Sequence, residues 1–145
     1  MNYQLKDAQI EDKAFIYWTK TNSIRKYVEP IWGWDEAYQT KEFEKDFTFL
    51  GNYKIICLNN EAIGFLETYE SNEAINIIEI HINPAFQGKG IGSSIINDIA
   101  RNAKQLGKKV VLGCFKENAG AVSLYQKLGF QLTNETKTHF VLEYN

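Results

Sequence analysis

The chain has 145 residues, of which 44% are hydrophobic and 23% charged, and its formal net charge is −2 at pH 7. This composition is ordinary for a globular protein and excludes a disordered or fibrous chain. The length fits one compact domain over residues 1–145, and the small net charge gives no electrostatic reason to expect a nucleic-acid partner.

The sequence also argues against a membrane or secreted protein. It holds no apolar run near the roughly 20 residues of a membrane span, and its N-terminal segment is too charged for a secretory signal. Cys57 and Cys114 each lie in an apolar run and form no C-x-x-C pair, which indicates buried free thiols and no metal site. We therefore expect a cytoplasmic protein without a membrane partner.

The first part of the chain predicts mainly helices. A short strand near residues 2–6 precedes two helical segments, 9–28 and 34–47. The joint between them, "EPIWGW" at 29–34, holds two of the three tryptophans of the chain. We find no internal repeat or low-complexity segment, which agrees with a single domain.

The remainder of the chain alternates strands with helices. Two apolar runs around a polar turn predict a β-hairpin, and the isoleucine-rich run 74–82 predicts a strand that Pro84 ends. Apolar residues at helical spacing then predict a helix from Ile91 to a C-cap at Gly107. This succession makes the second half α/β. The other expected elements are strands at 53–58, 62–69, 108–115 and 139–144, and a helix at 118–129 with Asn118 as N-cap.

A glycine-rich turn, "QGKGIG" at 87–92, joins the strand 74–82 to the following helix. Unpaired N–H groups and the positive end of the helix dipole make such a turn a site for an anion such as phosphate. A Walker loop requires a lysine followed by serine or threonine, which does not follow Gly92. A Rossmann fingerprint requires a further glycine where Ser93 or Ile95 stands. The turn therefore predicts a phosphate site of another kind.

Two motifs make the sequence resemble the GNAT superfamily of acetyl-CoA-dependent N-acetyltransferases. Gln87, Gly90 and Gly92 fit the Q/R-x-x-G-x-G/A signature of that superfamily. "NAGAVSLYQKLGF" at 118–130 is similar to its second signature, N-x-x-A-x-x-L-Y-x-K-x-G-F. The order of the two motifs, each in the expected strand and helix context, is more specific than either motif alone.

The resemblance covers residues 53–145 well and residues 1–50 in outline. It implies the GNAT fold, a mixed, mostly antiparallel sheet of six to seven strands with helices on both faces and with the fourth and fifth strands splayed. It also implies acetyl-CoA as cosubstrate, with its pyrophosphate on the amides of the glycine turn and its pantetheine arm along the fourth strand. The expected coenzyme A residues are Ile80, His81, Ile82, Gln87, Gly88, Lys89, Gly90, Ile91, Gly92, Ser93, Asn118, Tyr125 and Lys127. For Asn118, a plain helix N-cap is the alternative.

Acetyl transfer to an amine requires a neutral nucleophile, stabilisation of the oxyanion and a proton for the departing thiolate. Tyr125, the tyrosine of the second signature, is the expected catalytic proton donor, because a phenol with a pKa near 10 can protonate a thiolate. Packing at the end of a helix is its alternative role. A backbone N–H near Ile82 is expected to polarise the thioester carbonyl.

The sequence leaves the general base open. Members of the family often carry a glutamate where this chain has Asn76 or Gly113. We expect Glu79 to be catalytic, directly or through water, with an ion-paired structural role as the alternative. His81 on the same strand face and Glu67 on the preceding strand are further candidates, and a packed imidazole is the alternative for His81.

The resemblance places the acceptor amine beside the segment that joins the first two helices. Glu29, Trp32 and Trp34 are the expected substrate-binding residues, because they would form an apolar wall with an anionic group for an ammonium ion. The alternative is that the tryptophans fill the core and Asp35 caps a helix.

The leading hypothesis is therefore an N-acetyltransferase that moves an acetyl group from acetyl-CoA to a primary amine of a small molecule or peptide. Direct attack of the amine within a ternary complex is the expected mechanism. The alternative is a catalytically silent CoA-binding or regulatory module. A homodimer is compatible with the resemblance, which leaves the oligomeric state open.

Overall fold

The computed structural model describes residues 2–145. Within them, seven strands and four helices follow one another, with 3-10 turns at Ile10–Asp12, Leu50–Asn52 and Pro84–Phe86. The strands are β1 (Tyr3–Asp7), β2 (Tyr53–Leu58), β3 (Glu61–Glu70), β4 (Ala74–Ile82), β5 (Lys109–Phe115), β6 (Gln131–Glu135) and β7 (His139–Tyr144). The helices are α1 (Lys13–Trp32), α2 (Glu36–Asp46), α3 (Ile91–Gln105) and α4 (Ala119–Lys127). No helix in this described part is long and apolar enough to cross a membrane.

The strands form a mixed sheet in the order β1-β2-β3-β4-β5-β7-β6. β4 and β5 are parallel, whereas β1 with β2, β2 with β3, β5 with β7 and β6 with β7 are antiparallel. This arrangement confirms the predicted fold class. The parallel register runs from Ala74 opposite Lys109 to Ile77 opposite Leu112, although β4 itself continues for five further residues, 78–82. The two strands therefore separate halfway, as the predicted splay requires.

Internal contacts divide the described chain into two compact units. The N-terminal unit comprises Asn2–Glu67 and Ile80–Phe86, and the C-terminal unit comprises Thr68–Glu79 and Gln87–Asn145. Each unit has buried apolar side chains of its own. The tryptophan-rich joint lies in the N-terminal unit and the glycine turn in the C-terminal unit.

The core of the N-terminal unit is built on aromatic rings. The rings of Phe43, Phe47, Tyr53 and Phe65 contact one another in succession, with centroids 5.2, 5.1 and 6.1 Å apart. Ile16 of α1 belongs to the same buried cluster. Because aromatic side chains bury large areas, this row joins α1 and α2 to β2 and β3.

The core of the C-terminal unit lies along one face of α3. The buried residues of that helix recur at helical spacing, as the sequence predicts, and they are Ile91, Ile95, Ile96, Ala100 and Ala103. Val110 and Leu112 of β5 and Leu142 of β7 are buried as well. Leu106, which the predicted apolar face included, is 52% exposed because the helix has ended before it.

The structure differs from the predicted elements at two places. α1 continues through Pro30 to Trp32, so most of the predicted joint 29–34 is helical. Pro30 lies in the last turn, where its missing N–H removes one hydrogen bond only. Gly33 then ends the helix with a φ of 74° and an N–H bond to the carbonyl of Glu29. β6 was not predicted, because its five residues are all exposed and carry no apolar alternation.

The close approach of β3 and β4 at Gly64 gives a stability prediction. A Cβ at Gly64 would lie 2.1 Å from the carbonyl oxygen of His81, a backbone atom of the neighbouring strand. Gly64→Ala should therefore lower the free energy of unfolding by about 3 kcal/mol in urea denaturation. Gly51→Ala is the control, since no atom lies within 4 Å of its Cβ position. Equal stability of the two variants would contradict the close approach.

Candidate functional site

The glycine turn lies in the C-terminal unit directly before α3. Gly88 and Gly90 have φ angles of 75° and 82°, in the left-handed region that side chains disfavour. No atom lies within 4 Å of the position that a Cβ would take on either glycine. The turn is therefore open to a ligand beside both residues.

α3 begins without a side-chain cap. Its N-cap residue is Gly90, and its first turn holds no acidic residue. The bond from Ser94 N–H to the Gly90 carbonyl, 3.0 Å long, starts the hydrogen-bond ladder of the helix. The amides of Ile91, Gly92 and Ser93 precede this bond, so they suit an external acceptor. A diphosphate, which combines negative charge with several acceptor oxygens, fits this terminus.

Other residues predicted to bind coenzyme A lie on the same unit. Gln87 and Lys89 are exposed in the glycine turn, and Lys127 is exposed in the last turn of α4. The side chain of Asn118 accepts a hydrogen bond from the Ala121 N–H at 3.2 Å. Its predicted role as helix N-cap is thus confirmed, and its contact with coenzyme A stays a prediction.

The end of β4, Ile80–Ile82, belongs to the N-terminal unit and is partly buried. The imidazole of His81 packs against the ring of Phe65 on β3, with centroids 5.4 Å apart. The imidazole of His81 is therefore packed, as its alternative role foresees, and its catalytic and coenzyme A roles stay predictions. Glu67 on β3 is buried, with 8% of its surface exposed.

Tyr125 lies on α4 and is the residue that the sequence predicts as the catalytic proton donor. It contacts the ring of Phe130, with centroids 6.1 Å apart, and interacts electrostatically with Cys114 and Glu79. Burial first, and then Cys114 and Glu79, raise the pKa of its phenol to about 12. The phenol therefore stays protonated at neutral pH. The catalytic roles of Tyr125 and Glu79 stay predictions.

Cys114 of β5 and His139 of β7 also have shifted pKa values, although the sequence analysis did not assign them to the site. Cys114 is half-buried, unlike the fully buried Cys57, and burial raises the pKa of its thiol. Burial lowers the pKa of the His139 imidazole, and Glu79 acts in the opposite direction. The chain has two histidines, so the presence of His139 at the start of a predicted strand was the available signal.

The predicted acceptor residues lie in the N-terminal unit and differ in their surroundings. A carboxylate oxygen of Glu29 accepts a hydrogen bond from Arg25 Nε at 2.6 Å. Trp34 Nε1 donates to Glu36 at 2.7 Å, and the Arg25 guanidinium lies 5.1 Å from the centroid of the Trp34 ring. Trp32, in contrast, is 61% exposed. Arg25 therefore connects Glu29 with Trp34, and Trp32 lies apart from this network.

The alternative role foreseen for this segment holds in part. Asp35 caps α2, because its side chain accepts a hydrogen bond from the Tyr38 N–H at 3.1 Å. Neither Trp32 nor Trp34 is buried, so the tryptophans do not fill the core.

Glu29 also lines an open groove of about 530 Å³ along α1. The lining residues are Asn22, Arg25, Lys26, Glu29 and Pro30. Arg25, Lys26 and Glu29 give this groove two positive charges and one negative charge. The negative charge of Glu29 is therefore offset by the two cationic side chains.

Comparison with known proteins relates this geometry to an established family. The model of the acetyltransferase (GNAT) family matches residues 13–130. An uncharacterized N-acetyltransferase of Methanocaldococcus jannaschii is 31% identical over 123 residues. That match covers 74% of this chain and 54% of the relative, so the chain spans about half the length of that curated protein.

Solved structures share the fold. The PaiA N-acetyltransferase of Thermoplasma acidophilum in complex with coenzyme A superposes with a TM-score of 0.77 at 18% identity, over 100% of this chain and 99% of that one. A GNAT family acetyltransferase of Elizabethkingia anophelis with acetyl-CoA bound superposes with a TM-score of 0.61 at 26% identity, over 70% of this chain and 82% of that one. With a family model that covers most of its length and a fold that agrees, this chain belongs to the acetyltransferase (GNAT) family.

Proposed function

We propose that the protein is an N-acetyltransferase that transfers an acetyl group from acetyl-CoA to a primary amine of a small molecule or peptide. The glycine turn carries the proposal, because two open, left-handed glycines precede a helix that has no side-chain cap. Membership of the GNAT family supports it, as do similar structures that hold coenzyme A or acetyl-CoA.

The glycine turn is proposed to bind the pyrophosphate of the cosubstrate. Backbone amides from Gly88 to Ser93 would donate to the phosphate oxygens, and the positive end of the α3 dipole would favour their charge. Gln87, Lys89, Asn118 and Lys127 are proposed to bind other parts of the molecule. When bound, acetyl-CoA supplies an acyl group that its thioester has activated.

Tyr125 is proposed to protonate the departing sulfur. The phenol holds its proton at neutral pH, as a general acid must before it reacts, and burial raises its pKa to about 12. Glu79 is proposed to move the proton of the amine, directly or through water. Tyr125 would thus donate a proton and Glu79 would accept one, and the backbone of the glycine turn would bind the cosubstrate.

The variant Ser93→Asp tests the anion site with two readouts of opposite sign. A carboxylate in the first turn of α3 interacts favourably with the helix dipole, so the unliganded variant should gain about 0.3–1 kcal/mol of stability. The same carboxylate repels phosphate, so the variant should lose most of the stabilisation by acetyl-CoA. For the wild type, that stabilisation is about 2.7 kcal/mol at a ligand concentration of about 100 times Kd. Thermal denaturation with and without acetyl-CoA measures both effects.

Asn97→Asp is the matched control for Ser93→Asp. It adds the same charge at an exposed position further along α3, where it should leave the stabilisation by acetyl-CoA intact. Retention of the full ligand effect in Ser93→Asp would contradict the anion site.

The variant Tyr125→Phe tests the proton donor. It keeps the ring that packs on Phe130 and removes the hydroxyl, so kcat should fall by about 10²-fold or more while acetyl-CoA still binds. Because the pKa of Tyr125 is raised to about 12, wild-type kcat should not fall as the pH rises through 10, the ordinary value for tyrosine. Thiol release from acetyl-CoA with pooled amines measures both. Unchanged kcat in the variant would remove the assignment, and binding without thiol release by the wild type would instead support the silent CoA-binding module.

Trp32 is proposed to contact the acceptor amine, together with Glu29 and Trp34. Trp32→Ala should lower kcat/KM for the amine by about tenfold, which corresponds to about 1.4 kcal/mol, and should leave the KM for acetyl-CoA unchanged. Trp18→Ala is the control, because Trp18 is a similarly exposed tryptophan of the same helix. The acceptor role fails if both variants match the wild type with every amine tested.

A further inference from the structure

The open groove along α1 carries polar and charged side chains on one face of the helix. Asn22, Arg25, Lys26 and Glu29 line it at spacings of three and four residues, which places them side by side. All four belong to the N-terminal unit. The groove therefore offers N–H donors and charges of both signs to a single ligand.

Arg25 is held in this groove by two contacts. Its Nε donates to a carboxylate oxygen of Glu29 at 2.6 Å, and its guanidinium lies 5.1 Å from the centroid of the Trp34 ring. Neither contact uses the terminal nitrogens Nη1 and Nη2, which bond to no other side chain among residues 2–145. Arg25 thus keeps two parallel N–H donors in a fixed orientation, and this geometry matches the two oxygens of a carboxylate.

Trp34, on which Arg25 stacks, is itself anchored between the first two helices. Its Nε1 donates to Glu36 at 2.7 Å, and the second carboxylate oxygen of Glu36 accepts a bond from the Tyr17 hydroxyl at 2.8 Å. Both oxygens of Glu36 are therefore engaged, and Glu36 does not line the groove. The support of Arg25 is built before any ligand binds.

Lys26 adds a positive charge that no carboxylate of the described chain offsets. Its Nζ lies 5.1 Å from the centroid of the Tyr27 ring, and within residues 2–145 it forms no ion pair. Asn22, one helical turn earlier, adds an amide to the same groove. Lys26 therefore supplies charge for an anionic group, and Arg25 supplies oriented hydrogen bonds.

The balance of charge in the groove selects the class of acceptor. A polyamine carries positive charges only, and it would meet Arg25 and Lys26 as well as the single carboxylate of Glu29, which Arg25 already engages. An amino acid carries a carboxylate beside its amine, so it complements the charges of both signs. The groove therefore favours an acceptor with a carboxylate over a polyamine.

We propose that the groove along α1 binds amino acids as acceptors, with the carboxylate on the Nη atoms of Arg25 and on Lys26 Nζ. The inference rests on the proposed acetyltransferase function and names the class of its acceptor. The amine nitrogen forms a bond to the acetyl carbon as the bond from that carbon to sulfur breaks. The amine loses one proton and the sulfur gains one, so the products are an N-acetylamino acid and coenzyme A, and the carboxylate is unchanged.

Matched pairs of acceptors test the role of the carboxylate. L-leucine, L-glutamine and L-phenylalanine are each compared with their own carboxamide, which keeps the amine and side chain and lacks the negative charge. Lys26→Glu should lower the ratio of kcat/KM for amino acid over carboxamide by about tenfold or more, the size of one charge-assisted hydrogen bond. Because the wild-type and variant ratios use the same two amines, differences in amine reactivity cancel.

Lys41→Glu is the matched control for Lys26→Glu. It makes the same change of charge at an exposed position of α2 in the same unit, and the ratio should stay within about twofold because exposed charges at a distance are screened. Arg25→Gln should also lower the ratio by about tenfold. An unchanged thermal shift by acetyl-CoA shows that each variant folds.

The indole N–H signal of Trp34 gives a readout that does not depend on activity. The chain has three tryptophans, and the signal missing from the NMR spectrum of Trp34→Phe identifies Trp34. Titration with L-leucine, with and without coenzyme A, should shift this signal saturably, because the Arg25 guanidinium stacks on the ring. L-leucinamide at the same concentrations should leave the signal in place.

The outcomes separate the two proposals. If the wild type releases thiol from acetyl-CoA with no amine, the proposed function fails and the inference with it. If the wild type acetylates amines and its ratio is the same as that of Lys26→Glu, the inference alone fails. It also fails if L-leucine and L-leucinamide shift the Trp34 signal equally, or if neither shifts it.

Discussion

The parallel pairing of β4 with β5 is the constraint on which the C-terminal unit depends. A tight turn cannot join parallel strands, so the chain must cross back over the sheet. α3 provides that crossover, and in the chain it lies between β4 and β5. The pairing ends at Ile77 and Leu112, so the strands also separate toward this end of the sheet. The parallel pairing thus requires the helix that follows the glycine turn.

Burial shifts the pKa values of three titratable side chains of the C-terminal unit. It raises the pKa of the Tyr125 phenol and of the Cys114 thiol, and it lowers the pKa of the His139 imidazole. Each group is therefore neutral at pH 7, with a proton on the phenol and a free lone pair on the imidazole.

The sequence correctly predicts the features that depend on residues close together in the chain. The isoleucine run 74–82 closed by Pro84 has the predicted bounds, and Gly107, with a φ of 70°, follows the end of α3 as expected. The end of α1 was not predicted, because the sequence analysis assigned residues 29–34 to a joint and the helix continues through Pro30 to Trp32. The position of His139 beside Phe115 could not be predicted from the sequence, because it depends on the register of β5 with β7, a contact between distant parts of the chain.

The central claim is that the glycine turn before α3 binds acetyl-CoA, and N–H NMR spectra recorded during a titration with acetyl-CoA test it most directly. The account predicts saturable shifts of the Gly88, Gly90 and Gly92 amides with a single dissociation constant, while the amides of Gly107 and Gly129 stay in place. Saturable shifts that leave the glycine turn unchanged, or no shifts at millimolar ligand, would contradict the account.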